Sequence, residues 1–141
     1  RLERIAKLEK ATGPSRELDE QIALAIGLWK PWLSKHRYWN FDGPNGKSFT
    51  WPEPLPEYNS ESGKKIVLPE IPWSGWAELA DLPKWSASIV AALTLVLADQ
   101  IWDVTSTGTA WVMTHVGEQH FGKAATPAMA LCIAALKARA A

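Results

Sequence analysis

Residues 125–140, ATPAMALCIAALKARA, decide the fold, because they predict a helix that must be packed against other elements. Thr126 precedes a proline and is therefore biased out of helical geometry, which makes it the expected N-cap. Pro127 then occupies the first helical position, where its missing N–H has no intrahelical partner to lose. The apolar side chains that recur at helical spacing form the predicted buried stripe: Met129, Cys132, Ile133 and Leu136.

The segment before this helix predicts the elements on which it packs. SASIVAALTLVLA has the pattern of a further helix, with Ser86 or Ser88 as its N-cap. QIWDVTS and TAWVMTHV alternate apolar and polar residues on either side of Thr107-Gly108, which predicts a β-hairpin. Depending on register, one face of that hairpin would lie on the core and carry Trp102, Val104, Val112 and Val116.

The amino-terminal half completes the predicted architecture. Two helical patterns in residues 1–27 predict a helical hairpin or a bent helix, with Ser15 as N-cap of the second pattern. In residues 28–85, RYWNF and KSFTW flank DGPNG and predict two short strands, and KKIVLPEI predicts a short edge strand. With residues 86–141 as the third part, we predict a single domain, residues 1–141. Its class is α+β: a small antiparallel sheet layered with about four helices, with a long Trp/Pro-rich irregular insertion.

Composition excludes several classes of function. Fifteen basic and fifteen acidic residues give zero net charge, which argues against a protein that grips bulk DNA through its backbone. The single cysteine, Cys132, lies among apolar residues and is expected to be buried. No apolar run approaches the length of about 18–20 residues that spans a bilayer, so we expect no membrane association.

The tryptophans mark the candidate binding region. Seven of the nine lie between residues 29 and 85, in sequence rich in proline and glycine. Two interpretations remain open: the rings form a satellite core that pins the loops, or some of them bind a flat ligand or a partner protein. HRYW offers a ring for stacking beside a cation for phosphate, and WSGW is a second anchor. The predicted ligand- or partner-binding residues are Arg37, Tyr38, Trp39, Trp51, Trp73 and Trp76.

The motif GEQHFGK, residues 117–123, resembles the start of a phosphate-binding loop. Ala124 follows it, although the motif requires Ser or Thr there to hold magnesium, so we predict no NTPase. The amino terminus of the last helix could still bind an anion, with Lys123 and Thr126 as the candidate residues. An ordinary strand-to-helix loop is the alternative interpretation.

Scattered titratable residues give no further chemical signature. His115, Glu118 and His120 lie close in sequence, but their spacing matches no zinc motif. Asp99 and Asp103 do not define a carboxylate pair of the kind that glycosidases use. We therefore predict no catalytic residue, no metal site and no cofactor.

Four segments together resemble a known family. They are RELDEQIALAIG, WSASIVAALTLV, the tryptophan-containing hairpin and ATPAMALCIAALKARA, and they cover about half of the chain. They resemble the phage αβα-sandwich domain family, small proteins encoded by phages and prophages of alphaproteobacteria. The resemblance implies a virus-encoded accessory protein in the cytoplasm of a host bacterium. It carries over no catalytic residue and does not cover the Trp/Pro-rich middle.

The expected function follows from the resemblance and from the aromatic middle together. We expect a phage-encoded, non-enzymatic binding protein with a counter-defence role, which inhibits a host bacterial protein or sequesters a nucleotide-like signal. A structural or assembly component of a phage particle is the alternative. The Ala-rich terminal helix could also pack on its own copy and form a homo-oligomer.

Overall fold

The structure, a computed structural model, describes residues 2–54 and 75–140. Its class is α+β, as predicted. The helices in these ranges are α1 (Leu2–Lys10), α2 (Arg16–Ala25), α3 (Ile89–Leu93) and α4 (Pro127–Ala140), and a short 3-10 helix spans Pro44–Gly46. The strands are β1 (Lys30–Leu33), β2 (Trp39–Asp42), β3 (Ser48–Thr50), β4 (Ile101–Val104), β5 (Thr109–Met113) and β6 (Gln119–Lys123).

The strands form two separate antiparallel sheets, where the sequence predicted one. Each is a meander of three strands, in the orders β1-β2-β3 and β4-β5-β6. The predicted hairpins are present as β2/β3 and β4/β5, while β1 and β6 are additional edge strands. Short turns keep the pairing local, so neither meander needs the edge of the other. The predicted strand KKIVLPEI lies outside the described residues.

Helix α4 is the centre of the core. Residues 128–136 are all buried, and so is Ala138. The helix packs on β5 and β6, and α1 and α3 contact it from other directions. Its apolar residues surround the axis, which is typical of a helix enclosed by protein rather than of one with a single buried stripe. The predicted packing of this helix on its own copy is therefore not available, because its surface is used within the chain.

Strand β6 approaches α4 very closely at Gly122. A Cβ atom added there would overlap the carbonyl oxygen of Ala130 and lie 2.9 Å from the backbone nitrogen of Ala134. Both neighbours are backbone atoms of a helix, which cannot move aside as a flexible side chain can. The contact between strand and helix therefore depends on glycine.

The register of the second sheet sorts its side chains into two faces. Ala110 pairs with Gly122, and the next inward position on β5 is Val112. These residues face α4, and Ala110 and Val112 are buried. Because side chains alternate along a strand, the pair Trp111–Phe121 faces the opposite side.

The four residues predicted to share the core face differ in their burial. Val112 is fully buried and Val104 is half-buried. Trp102 pairs with Val112 but lies on the edge strand β4, and it is 41% exposed. Val116 lies in the β5–β6 turn beyond the end of the strand and is 67% exposed.

Helix α3 is shorter than predicted, and Ser88 is its N-cap. The Ser88 hydroxyl accepts a hydrogen bond from the N–H of Ala91 at 3.3 Å. The helix ends at Leu93, and the Thr94 hydroxyl then donates to the Ala91 carbonyl at 2.6 Å. That hydroxyl also accepts from Trp85 Nε1 at 3.1 Å. Side-chain bonds of this kind compete with continuation of the helix.

The first sheet carries an aromatic cluster. The ring of Phe41 lies 4.7 Å from that of Phe49 and 4.8 Å from that of Trp76, and Trp29 lies 5.3 Å from Phe49. Trp29, Phe41 and Trp76 are buried. For these rings the satellite-core interpretation of the aromatic middle describes the structure.

Two buried carboxylates join α2 to the segment that precedes α3. Asp19 accepts a hydrogen bond from the Ser86 N–H at 2.8 Å and forms an ion pair with Arg16 at 2.8 Å. Glu20 Oε2 accepts from the Ala77 N–H at 2.7 Å. Both carboxylates are at most 1% exposed. They satisfy backbone groups of an irregular segment that has no sheet or helix partner there.

Glu20 makes the stability of the fold depend on pH. Burial raises the pKa of Glu20 above its ordinary value of 4.5, although the backbone N–H groups of residues 75–77 oppose the shift. Between 4.5 and the raised pKa the folded state binds more protons than the unfolded state, so the free energy of unfolding falls as pH rises. We expect this fall in the wild type relative to Glu20→Gln, measured by urea unfolding across that range. If the free energy of unfolding changed with pH equally in the two proteins, the expectation would be contradicted.

Candidate functional site

A pocket of about 480 Å³ opens where four segments meet. They are the end of α2, the connection between α3 and β4, the β5–β6 turn and the last turn of α4. The volume lies in the usual range for small-molecule sites, about 300–1,000 Å³. Ile26 and Leu97 contribute apolar surface, and His115, Glu118 and Arg139 contribute polar groups.

Arg139 is the cation of this pocket. Its Nε donates to the Leu95 carbonyl at 2.9 Å, and its Nη1 and Nη2 groups have no hydrogen bond to another described residue. In the described ranges no carboxylate forms an ion pair with it. Burial lowers the pKa of Arg139, because desolvation disfavours the charged form. The two outer nitrogens are therefore available to a ligand.

Arg16, in contrast to Arg139, has carboxylate partners within the fold. Desolvation would lower its pKa, but hydrogen bonds and charges from Glu78 and Asp19 outweigh that effect and raise it. Its guanidinium also donates to the carbonyl oxygens of Leu82 and Pro83. Arg16 is thus used within the fold, whereas Arg139 keeps two donor groups open to the pocket.

A histidine and an aspartate lie together at the rim of the pocket. The Nδ1 atom of His115 lies 3.3 Å from Asp99 Oδ2, and both side chains are more than half exposed. An acidic partner at Nδ1 fixes the ring and leaves Nε2 available to a ligand. The two residues lie on opposite sides of the β4–β5 hairpin in sequence, so spacing alone did not indicate their pairing.

The β5–β6 turn holds the rim in place. Gly117 adopts a left-handed conformation with φ of 86°, and its N–H donates to the Thr114 carbonyl at 2.9 Å. The Thr114 hydroxyl accepts from the Glu118 N–H at 3.2 Å. Glu118 also lies 3.6 Å from Nε2 of His120. This turn therefore sets the positions of both His115 and Glu118 beside Arg139.

The first three predicted binding residues lie around the β1–β2 turn. Arg37 is in that turn with φ of 68°, a conformation that only a few percent of non-glycine residues adopt. Tyr38 is half-buried. Trp39 is 8% exposed, so its ring is a core residue of the first sheet. None of the three lines the 480 Å³ pocket.

The other three predicted binding residues are tryptophans, and the structure describes two of them. Trp51 follows β3 and is half-buried against the aromatic core. Trp76 is 1% exposed, because it stacks on Phe41. Its ring is therefore not accessible to a ligand in this conformation. Trp73 lies outside the described residues.

The predicted anion site does not have the geometry of a phosphate loop. GEQHFGK forms a turn followed by β6, and its second glycine, Gly122, packs on the middle of α4. Lys123 is exposed at the end of β6. Thr126 is the N-cap, as predicted, and its hydroxyl accepts from the Met129 N–H at 3.3 Å. The cap therefore already satisfies one of the N–H groups that an anion would use.

Metal and thiol chemistry are the remaining candidates within the described ranges. No group of three or more His, Cys, Asp or Glu side chains is arranged there to hold a metal ion. Cys132 is buried, its Sγ donates to the Trp85 carbonyl at 3.3 Å, and burial raises the pKa of its thiol. It therefore lacks the character of a reactive thiolate. Helices long and apolar enough to cross a bilayer are absent from residues 2–54 and 75–140.

Comparisons with protein-family models, with curated proteins and with solved structures gave no match. The candidate site therefore rests on geometry. Arg139 was not among the site residues predicted from the sequence. One signal in the sequence could have identified it. In a helix that is apolar on all sides, the long stem of a basic side chain near the end must lie along buried surface.

Proposed function

We propose that this chain is a non-enzymatic binding protein that holds a small nucleotide-like ligand, through an anionic group, in the 480 Å³ pocket. The observation that carries the proposal is the half-buried guanidinium of Arg139, which has two unused donor nitrogens and no carboxylate partner in the described residues. A planar guanidinium matches the oxygens of a phosphate or carboxylate, and it binds them more strongly where water is partly excluded.

The rest of the pocket limits the kind of ligand. Asp99 and Glu118 are hydrogen-bond acceptors, which suit the hydroxyl or amino groups of a ligand rather than a second anion. Ile26, Leu97 and Val116 supply apolar surface for a flat ring. One anionic group, several hydroxyl groups and a flat ring together describe a nucleoside monophosphate better than a polyphosphate.

The biological setting of the proposal comes from the sequence resemblance. In a phage-infected bacterium, a cytoplasmic protein that sequesters a nucleotide-like signal would act in counter-defence. Inhibition of a host protein and a structural role in a phage particle are the competing functions. A host protein that co-purifies without any small ligand would favour the first of these, and a large ordered assembly would favour the second.

Isothermal titration calorimetry with AMP, GMP, adenosine and inorganic phosphate tests the proposal. We expect a nucleoside monophosphate to bind more tightly than either adenosine or phosphate alone, because each part of the ligand contacts a different wall. Arg139→Met should weaken that binding about tenfold or more, since a hydrogen bond to a charged group contributes about 1.5–3 kcal/mol. Arg139→Lys should retain part of the affinity, because it keeps the charge and loses the planar fork.

Lys47→Met is the matched control, since Lys47 is exposed in the β2–β3 connection and does not line the pocket. Its affinity should equal that of the wild type. Circular dichroism would establish that each variant is folded. The proposal fails if none of the four compounds binds, or if Arg139→Met binds as tightly as the wild type.

A further inference from the structure

The face of the second sheet that points away from α4 carries exposed apolar side chains. Ile101 is 61% exposed and Phe121 is 59% exposed, with Trp111 and Met113 half-buried between them. Trp111 pairs with Phe121, and Ile101 pairs with Met113. We call this surface the outer face, and it consists of Ile101, Asp103, Thr109, Trp111, Met113, Gln119, Phe121 and Lys123.

An outer face of this composition is unusual for an exposed sheet. Antiparallel sheets with one buried face normally alternate, with polar residues toward water. Here the solvent side holds an aromatic cross-strand pair with two aliphatic neighbours, and contiguous apolar patches of this kind mark interaction sites. Among the described elements, the helix with extensive contacts to this sheet is α4, and it lies on the other face.

We propose that the outer face binds the outer face of a second copy of this chain, with the twofold axis parallel to the strands. This inference concerns a different surface from the ligand pocket and does not depend on it. A twofold interface uses the same patch on both subunits, so the patch must be complementary to itself. The apolar centre meets that condition, and the charges at the edges decide the orientation.

The two charges of the outer face lie on opposite edge strands. Asp103 is on β4 and Lys123 is on β6. With the axis parallel to the strands, β4 of one copy lies over β6 of the other. Asp103 then lies at the level of Phe121 of the second copy, with Lys123 two residues, about 7 Å, further along and within reach of its long side chain at both edges. With the axis across the strands, β4 would lie over β4 and like charges would approach each other. The charge pattern therefore favours the first arrangement.

Within one chain these charges have no ion-pair partner among the described residues. Asp103 Oδ1 accepts only from the neighbouring Val104 N–H, at 2.9 Å. The chain also has zero net charge, so no overall repulsion separates two copies. An ion pair across the interface would neutralise both side chains without breaking a contact inside the fold.

The size of the outer face sets the expected affinity. Three strands spaced about 4.8 Å apart, the longer two with five residues at about 3.4 Å each, give a surface of at most roughly 14 by 17 Å. This is smaller than the patch that a standard stable interface uses, about 800 Å² on each partner. We therefore expect a weak, reversible dimer rather than a stable one.

Sedimentation equilibrium from low micromolar to millimolar protein tests the inference through charge reversal. The wild type should pass from monomer to dimer. Asp103→Lys alone, or Lys123→Asp alone, should weaken the dimer about tenfold or more, because like charges then meet at both edges. The double variant should recover the affinity of the wild type, because it restores the complementary pair with the signs exchanged.

Phe121→Ser removes the most exposed ring of the outer face and should abolish the dimer. Val90→Ser is the matched control, since Val90 is 77% exposed on α3, away from the outer face. Circular dichroism of each variant separates loss of the interface from loss of the fold. The inference is overturned if the wild type stays monomeric throughout, or if its dimer survives Phe121→Ser and both single charge reversals.

Discussion

Replacing Gly122 with alanine is expected to lower the free energy of unfolding by about 3 kcal/mol or more. The new methyl group would overlap the carbonyl oxygen of Ala130, and the Ala134 nitrogen also lies too close to it. To accommodate it, β6 would have to move away from α4, which would open the contact between the sheet and the central helix. Guanidinium unfolding followed by circular dichroism measures the loss.

Two other glycines provide a graded comparison. Gly117 has φ of 86° with open space around its Cβ position, so Gly117→Ala should cost about 1 kcal/mol from backbone strain alone. Gly13 has neither a positive φ nor a close neighbour, and Gly13→Ala should be nearly neutral. A loss at Gly122 no larger than the loss at Gly117 would show that the strand–helix contact relaxes, and would contradict the expectation.

The elements that the sequence predicted correctly are those whose signals are local. The N-cap at Thr126 and the hairpin around Thr107-Gly108 each follow from a few neighbouring residues, and the cap at Ser88 is one of the two that were predicted. The α+β class follows from adding such elements together. Periodicity also identified α4 as buried, but it indicated one stripe, whereas the structure covers the helix on all sides.

What the sequence did not predict depends on contacts between distant residues. The pocket forms because the carboxyl-terminal ends of α2 and α4 lie beside the β5–β6 turn. No local sequence pattern indicates that these three segments come together. Burial of Glu20 depends in the same way on the N–H of Ala77, 57 positions away. The tryptophans illustrate the converse: composition indicated a binding region, but Trp39 and Trp76 are used to fill the core of the first sheet.

Replacing Asp19 with alanine is the second substitution with a large expected effect, about 3 kcal/mol of lost stability. Asp19 is 1% exposed and accepts the Ser86 N–H at 2.8 Å, so its removal leaves a buried donor without a partner. It also removes one ion-pair partner of Arg16, whose remaining carboxylate contact, with Glu78, is exposed to solvent. Asp19→Asn keeps an acceptor for the Ser86 N–H and should lose less.

Glu17→Ala is the control for Asp19→Ala, because Glu17 lies in the same first turn of α2 and is exposed. Glu17→Ala should lose about 0.3–1 kcal/mol of stability, which is the usual effect of an acidic residue on the helix dipole. Urea unfolding of the three variants separates the two roles of an acidic residue at a helix start. A similar small loss for Asp19→Ala would mean that the segment before α3 is held by its apolar contacts alone. We expect Asp19→Ala to have a much lower free energy of unfolding than Asp19→Asn or Glu17→Ala. This order requires that the buried hydrogen bond and ion pair of Asp19 hold the segment before α3 against α2.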